Sequence, residues 1–289
     1  MLDREKDITR NVMGAAQDGL RACMTTSWDD GHPLDMNIAN LLARYGLKGT
    51  FYTPMSWRLP VMPASEIRRL SMNFEVGSHT VHGVELTNLS DAEVCEEIRS
   101  SKRQIEEITG KQCAMFCFPS GRYKRHHLAL LREAGYRGAR TVELMSLEKP
   151  RLRDGIFVMG STLQAFSHSF GVYLKNSIKR RKLSNLRTYL RHGSSSNWAS
   201  AAESLLELAL VRGGVFHLWG HSWEIEETQQ WEQLESVFAT MARYRDRIRC
   251  VTNSELCEHV LTIFGFVWKS VLSRRRRDTA ILHREVCLR

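Results

Sequence analysis

Short strand-like segments alternate with helical segments from about residue 22 to residue 141, and this alternation restricts the fold more than any other property of the sequence. The clearest helix begins at Ser90, where Ser90 and Glu93 have the spacing of a capping box, and ends at Gly110. Repeated strand–helix pairs are typical of a parallel sheet covered by helices. We therefore predict an α/β fold with a parallel sheet.

Apolar and β-branched runs indicate the strands, and helical periodicity indicates the segments between them. Up to residue 141, the predicted strands are 22–24, 49–53, 73–77, 114–118 and 136–141, and the predicted helices are 34–45, 63–70, 90–110 and 127–134. Beyond Pro150 the pattern loosens. There we predict strands at 156–159, 215–219 and 248–251, and helices after Asn197 and at 231–244.

Polar segments follow four of the predicted strands. They begin at Asp29, at His79, at Pro119 and at His221. Because function in parallel sheets gathers at the carboxyl ends of the strands, we expect these segments to meet at one rim. The pair Asp29 and Asp30 suits a site in which one carboxylate holds a metal while the other handles a proton, although Asp-Gly is also a common turn dipeptide.

Positive charge is concentrated in two places. The formal net charge is +9, yet no acidic residue occurs between Asp154 and Glu203, where the interval from Lys175 to Arg191 is rich in lysine and arginine. A second cluster is Arg274 to Arg277. Such clusters suit phosphates, anionic lipid or an acidic glycan, and they also occur on solvated helix faces.

The sequence shows no sign of secretion or of a membrane span. Its first residues are charged and lack an apolar h-region, and the longest apolar run, 260–272, is interrupted by Lys269 and is short of the ~20 residues that a span needs. The seven cysteines are scattered and odd in number, which argues against a complete disulfide framework. We expect a cytoplasmic protein whose basic C-terminal segment can contact anionic membranes peripherally.

The four polar segments, in this order, resemble the motifs of the polysaccharide deacetylase family, also called the NodB-homology or carbohydrate esterase 4 family. The resemblance extends from about residue 21 to about residue 260. It implies a distorted (β/α) barrel of the NodB-homology type, with Asp29 as catalytic base, Asp30 and His79 as metal ligands and His221 as general acid. The residues that it places in the substrate groove are Pro119, Ser120, Gly121, Arg122, Tyr123, Trp219 and Trp223.

Two positions depart from the family pattern. The family has a second metal-binding histidine four residues after the first, but Gly83 holds that position here, and we predict His82 as the third ligand instead. The family also has an arginine before its third-motif proline, where this chain has Cys117 and Phe118. Arg122 or Arg140 are the candidates to replace that arginine, and the sequence does not distinguish them.

Some of the aromatic and histidine residues near the motifs fit a structural role. His217 lies inside an apolar run, so we expect a hydrogen-bonded core histidine there. Trp219 and Trp223 fit either stacking on a sugar ring or packing in the core.

The resemblance implies a metal-dependent hydrolase that removes the N-acetyl group from an N-acetylated sugar. That sugar would be an oligosaccharide, a nucleotide sugar or a lipid-linked sugar. The cofactor expected is a divalent metal, zinc first and cobalt or another divalent ion as alternatives. The other hypotheses are a deformylase of a lipid-linked amino sugar and a degenerate, non-catalytic member that binds glycan. We expect no nucleic-acid partner.

We divide the chain into three parts. Residues 1–20 are an N-terminal lead-in, residues 21–262 are a single catalytic domain with a basic insertion at about 167–195, and residues 263–289 are a basic C-terminal tail.

Overall fold

The computed structural model describes residues 22–193 and 197–262. Residues Arg21–Leu256 form one compact unit. A second unit comprises Met1–Leu20 and Cys257–Arg289, of which residues 257–262 are described and are helical. The predicted lead-in at 1–20 and the tail at 263–289, with its cluster at Arg274 to Arg277, lie outside the described residues.

The core of the larger unit is a ten-stranded sheet. Its hydrogen-bonded order is β6-β7-β5-β4-β3-β2-β1-β9-β8, and β10 pairs with β1 beside β2. The strands are β1 Cys23–Asp29, β2 Thr50–Thr53, β3 Glu75–Ser78, β4 Met115–Cys117, β5 Gly138–Arg140, β6 Arg151–Arg153, β7 Ile156–Met159, β8 Leu163–Gln164, β9 Val215–Gly220 and β10 Arg249–Cys250.

Helices connect most of these strands. They are α1 Asp35–Arg44, α2 Ala64–Ser71, α3 Asp91–Thr109, α4 Arg125–Glu133, α5 Phe170–Arg180, α6 Leu183–Thr188, α7 Trp198–Arg212, α8 Ser222–Glu227 and α9 Trp231–Arg243, with residues 253–256 helical as well. Short 3₁₀ turns occupy Leu86–Asn88 and Pro119–Gly121, and a π turn occupies Tyr189–Gly193.

Strands and helices together form a mixed α/β fold. This confirms the predicted fold class, a distorted barrel of the NodB type. All described strand pairs are parallel except β6 with β7. Every residue of β1 is buried, as expected for a central strand in a sheet covered on both faces. Its polar side chains are therefore satisfied internally: for example, Thr25 Oγ1 donates to Asn253 Oδ1 at 2.9 Å.

The start of α3 has the predicted capping box. The backbone N–H of Glu93 donates to Ser90 Oγ, and Glu93 Oε2 accepts from the Ser90 N–H at 2.8 Å. The sequence pattern did not reveal β6, β8 or α8. The three residues of β6 are exposed, β8 has two residues and α8 has six, so none carries a periodic apolar pattern long enough to detect.

Candidate catalytic site

The carboxyl ends of β1, β3, β4, β5 and β9 bring the predicted polar residues to one rim. Asp29 is the last residue of β1, and Asp30 follows it with a φ of 77°. A positive φ is uncommon outside glycine and turns Asp30 away from the direction that a continuing strand would give it. The two neighbouring carboxylates consequently meet different partners.

Asp30 faces two histidines and a tryptophan. Its Oδ1 lies 3.5 Å from His79 Nε2, its Oδ2 lies 3.6 Å from His221 Nε2, and Trp223 Nε1 donates to Oδ2 at 3.0 Å. Burial acts to raise the pKa of Asp30, but the hydrogen bond and charge of His79, with His221 and Trp223, lower it to about 2. Asp30 is therefore an ionised carboxylate at neutral pH.

His79 is oriented as a metal ligand would be. Its Nδ1 lies 3.1 Å from the carbonyl oxygen of Cys117. Because a carbonyl can only accept, Nδ1 carries the hydrogen and Nε2 points to Asp30, an arrangement typical of metal-binding histidines. Burial acts to lower the pKa of His79, but Cys117 and Asp30 raise it well above its usual value, so a cation that binds at Nε2 displaces a proton.

Asp29 is held by a buried arginine. Arg140 Nη2 donates to Asp29 Oδ2, and the Cys117 thiol lies 3.6 Å from the same oxygen. Oδ1 of Asp29 is buried and has no hydrogen-bond partner in the described part of the chain. One carboxylate oxygen is thus fixed while the other is left to accept a hydrogen bond or a proton.

Arg140 takes the place of the arginine that the third motif lacks. It ends β5, is fully buried, and its guanidinium lies 4.5 Å from the Trp219 ring centroid and 5.5 Å from that of Tyr52. Arg122 is exposed and pairs with Glu85 at 2.9 Å. Of the two candidates that the sequence offered, the structure therefore selects Arg140.

Glu224 orients His221, and the sequence analysis did not identify it. Nδ1 of His221 lies 2.5 Å from Glu224 Oε2, and Glu224 also accepts from Gln164 Nε2 at 3.1 Å. Burial lowers the pKa of His221, but the hydrogen bond and charge of Glu224, together with Asp30, raise it overall. The spacing of His221 and Glu224, three residues apart across the start of α8, is the signal that could have revealed the pair.

The donors at this rim fit a divalent cation. Two ligands of a tetrahedral zinc ion, each at about 2.0–2.1 Å, lie about 3.3 Å apart, close to the 3.5 Å between Asp30 Oδ1 and His79 Nε2. Potential ligand atoms of Asp29, His79 and Cys117 also lie within 4.8 Å of one another. The unpartnered Asp29 Oδ1 belongs to the same buried cluster. Carboxylate, imidazole and thiol together suit zinc or cobalt better than magnesium.

His82 lies outside this cluster. Its Nδ1 is 2.5 Å from Glu97 Oε1, its side chain is 59% exposed, and Glu97 Oε2 also accepts the backbone N–H groups of Val81 and His82. The sequence predicts His82 as third ligand, and that stays a prediction. In this structure Glu97 fixes both the turn and the imidazole of His82, apart from the potential ligand atoms of Asp29, His79 and Cys117.

The space that a side chain at Gly83 would occupy is filled by the ring of Trp57. Gly83 has a φ of 63°, and a Cβ placed on it would clash with Trp57 Cδ1. The Trp57 ring in turn lies 6.2 Å from that of Trp223. A side chain at position 83 would therefore be strained by the backbone conformation and would require Trp57 to shift.

The predicted groove residues divide into buried and accessible ones. Pro119, Gly121 and Trp219 are buried, and Trp219 packs against Arg140, which favours a structural role for its ring. Tyr123 stacks on Phe118 at 4.5 Å and is half-buried, as is Trp223. Ser120 and Arg122 are exposed. Tyr123 and Trp223 are thus the aromatic residues that remain accessible to a sugar.

His217 is placed in the core. Its Nδ1 lies 3.1 Å from the carbonyl oxygen of Gly160, and its Nε2 lies 2.9 Å from Ser27 Oγ. Since the carbonyl requires a hydrogen on Nδ1, Nε2 accepts from the serine hydroxyl. Burial, with a smaller effect of Arg140, lowers the pKa of His217 to about 3, so the imidazole is neutral.

Comparisons with known proteins identify relatives of this site and fold. Residues 17–139 match the family described as polysaccharide deacetylase. A putative polysaccharide deacetylase, YxkH, of Bacillus subtilis (strain 168) is 25% identical over 162 residues, which are 51% of this chain and 57% of that protein. The match thus spans little more than half the length of this curated relative. The resemblance seen in the sequence motifs is confirmed.

Solved structures share the fold at low sequence identity. A putative polysaccharide deacetylase from Mycobacterium smegmatis superposes with a TM-score of 0.62 at 14% identity, covering 84% of this chain and 91% of that one. The chitin deacetylase of Colletotrichum lindemuthianum superposes with a TM-score of 0.54 at 16% identity, covering 82% and 87%. At these identities the likeness establishes the fold.

Proposed function

We propose, from the premise that this chain is a relative of the polysaccharide deacetylases, that it is a metal-dependent hydrolase that removes the N-acetyl group from an N-acetylated sugar. The observation that carries the proposal is the separation of two adjacent carboxylates into different environments. Asp29 lies against Arg140, whereas Asp30 lies against His79 and His221. Metal-dependent amide hydrolysis uses such a division, with one carboxylate as proton acceptor and the other as cation ligand.

Asp29 is the proposed base. The Arg140 guanidinium, which stays charged, occupies Asp29 Oδ2 and keeps the carboxylate oriented. Oδ1 is left as the atom that takes a proton from the attacking water. The rings of Trp219 and Tyr52 both pack near the Arg140 guanidinium, so the base is positioned by packing as well as by charge.

Asp30 and His79 are the proposed ligands of the cation, zinc first and cobalt as an alternative. A divalent ion bound there would polarise the acetyl carbonyl and lower the pKa of water. The Cys117 carbonyl fixes the ring of His79, and Trp223 fixes one oxygen of Asp30. Asp29 and Cys117 also offer potential ligand atoms close to His79.

His221 is the proposed general acid. Glu224 holds Nδ1, so Nε2 is the nitrogen directed at the reacting groups. The raised pKa of His221 keeps a proton on the ring near neutral pH, ready for the departing amine nitrogen. Water activation and leaving-group protonation would then come from β1 and from the end of β9.

Non-catalytic glycan binding is the second candidate. It is favoured by the absence of a histidine at Gly83, where Trp57 occupies the space, because zinc sites usually have three protein ligands. Deformylation of a lipid-linked amino sugar would use the same base, cation ligands and acid on a formyl group. Release of formate instead of acetate distinguishes it from deacetylation.

The test is to strip the protein of metal with a chelator, reload it with zinc or cobalt, and quantify bound metal. The loaded protein is then incubated with N-acetylglucosamine oligomers, an N-acetylated nucleotide sugar, and acetylated or formylated lipid-linked sugars. Metal-dependent acetate release supports the proposal, and formate release without acetate supports the deformylase. Stoichiometric metal with neither product from any of the four would overturn the hydrolase in favour of glycan binding.

A further inference from the structure

A basic cleft lies beside the Pro119–Gly121 turn. It has a volume of about 570 Å³, and its charged lining residues are Arg122, Arg125, Arg153, Lys179, Arg180 and Asp154. These come from the segment after β4, from α4, from the β6–β7 turn and from α5. Five cationic side chains therefore surround one space with a single carboxylate among them.

Two of the five cations are neutralised within the protein. Arg125 makes a two-pronged contact with Asp154, at 3.0 Å and 3.1 Å, and Arg122 pairs with Glu85 at 2.9 Å. Among residues 22–193 and 197–262, Arg153, Lys179 and Arg180 form no ion pair within 4 Å, although Arg153 and Lys179 also act at longer range on Asp154 and Glu85. Three positive charges thus remain at the cleft for an external anion.

The cleft is a built feature rather than a loose surface loop. Arg180 Nη2 donates to the Gly121 carbonyl at 3.1 Å. Asn176 of α5 donates to the Val142 carbonyl at 2.8 Å and accepts the Leu144 N–H at 3.1 Å. The basic insertion is therefore fastened to the Gly121 turn and to the chain just after Arg140.

The cleft is also close to the catalytic residues. Gly121 lines the cleft. Cys117 lies four residues before Gly121 in the chain, and its carbonyl oxygen accepts a hydrogen bond from His79 Nδ1. Four extended residues span at most about 14 Å. Gly121 and Cys117 are therefore no more than about 14 Å apart, and the Cys117 thiol lies 3.6 Å from Asp29 Oδ2, so the cleft adjoins the segment that contributes to the candidate site.

We propose that the basic cleft binds the phosphate or diphosphate group of the substrate, so that the acetylated sugar is a phosphate-linked one rather than a neutral oligosaccharide. This inference rests on the proposed function. Guanidinium groups bind phosphate oxygens through paired hydrogen bonds, and a lysine adds a point charge. A diphosphate that links a sugar to another group carries two negative charges and balances two of the three cations Arg153, Lys179 and Arg180, whereas a single carboxylate would balance only one.

The test measures binding directly, by calorimetry on the full chain, so that it does not depend on turnover. The probes are inorganic pyrophosphate, a uridine diphosphate N-acetylsugar and a neutral N-acetylglucosamine dimer. We expect the two phosphate ligands to bind more tightly than the neutral dimer and to weaken as salt rises. Lys179→Ala and Arg153→Ala should each weaken them about tenfold or more and leave the dimer unaffected.

Arg187→Ala is the matched control. Arg187 is an exposed cation of α6 in the same basic insertion, outside the cleft lining, so its loss should leave pyrophosphate affinity unchanged. Equal weakening by Arg187→Ala, unchanged affinity in both cleft variants, or no preference for phosphate over the neutral dimer would each overturn the inference.

Activity measurements separate this inference from the proposed function. Acetate release from neutral oligomers without pyrophosphate binding would support the proposed hydrolase and contradict phosphate binding in the cleft. Pyrophosphate binding that is weakened by Lys179→Ala, without acetate release, would support phosphate binding and contradict the hydrolase. If both hold, preferred turnover of a lipid diphosphate sugar or of a nucleotide sugar identifies the source of the phosphate.

Discussion

At the scale of single residues, the site depends on giving neighbouring side chains different partners. Asp29 and Asp30 are consecutive, yet the positive φ of Asp30 sends one carboxylate to Arg140 and the other to His79. His217 and His221 lie four residues apart, yet one is a neutral core residue and the other faces the rim with a raised pKa. Substitutions at these positions should therefore fail in distinguishable ways.

The two aspartates should separate metal binding from turnover. Asp30→Ala removes a carboxylate that faces His79, so bound zinc and activity should be lost together. Asp29→Asn keeps the shape and the Arg140 contact but removes the proton acceptor, so bound metal should persist while kcat falls by about 10²–10⁴-fold. Metal analysis and steady-state kinetics on both variants check this. Full turnover in Asp29→Asn would contradict the assignment of the base.

Removal of the Glu224 charge should shift the pH profile. Glu224 contributes to the raised pKa of His221, so Glu224→Gln should lower that pKa. The acid form of His221 would then be lost at a lower pH, and the alkaline limb of kcat/KM should move to lower pH, with kcat reduced about tenfold or more. Metal content should not change. An unshifted alkaline limb would argue that another group is the acid.

A histidine at position 83 should not add a metal ligand to the candidate site. Gly83→His would place a Cβ against Trp57 at a backbone conformation that non-glycine residues adopt with strain, so the variant should lose about 1–3 kcal/mol of stability and gain no zinc affinity. Gly110 is the matched control, because it has a φ of 68° with nothing within 4 Å of a Cβ. Gly110→Ala should cost less than Gly83→Ala in urea unfolding, and tighter zinc binding by Gly83→His would refute this account.

At the scale of elements, strand ends decide which groups meet. β1 pairs with β9 over six residues, which places Thr25 opposite His217 and Ser27 opposite Trp219. β5 ends beside β4 and so delivers Arg140 to the Asp29 carboxylate. The short α8, directly after β9, adds Glu224 and Trp223 to the same rim.

The buried His217 on β9 should make the fold sensitive to acid. The pKa of His217 is about 3 in the folded protein and near 6.5 when unfolded, so the unfolded state binds more protons between these values. Its contribution is present above pH 6.5 and is lost as pH falls towards 3, with a slope of up to about 1.4 kcal/mol per pH unit. His217→Gln should be less stable at pH 7 but should show a flatter dependence. Urea unfolding at several pH values measures the stability and its pH dependence. Identical pH dependence in the parent and in His217→Gln would show that His217 does not cause the acid sensitivity.

At the scale of the whole molecule, the basic insertion exposes apolar side chains among its cations. Ile178 is 60% exposed, Leu183 is 72% exposed and Leu190 is 57% exposed, in the segment that carries Lys175 to Arg191. In the described part of the chain, no helix is long and apolar enough to cross a bilayer. Apolar side chains interspersed with lysine and arginine are typical of surfaces that rest on anionic lipid.

We accordingly predict peripheral binding to anionic vesicles. Flotation should increase with the anionic lipid fraction and fall at high salt, and Leu183→Asp or Ile178→Asp should reduce it. Val211→Asp is the control, since Val211 of α7 is 83% exposed but lies outside the insertion. Flotation that ignores salt and lipid charge, or that responds equally to Val211→Asp, would refute an electrostatic membrane contact.

The sequence alone determined the fold class and the principal motif residues, because strand–helix alternation and strand-end motifs are local properties of the chain. It placed Asp29, Asp30, His79 and His221 at one rim, since parallel strands bring their carboxyl ends to the same edge. Tertiary structure decided which arginine contacts Asp29, that Glu224 holds His221, and that Glu97 and Trp57 occupy the surroundings of His82 and Gly83. These contacts depend on which distant strands become neighbours and on the space left between them. The spacing of residues along the chain encodes neither the strand neighbours nor that space.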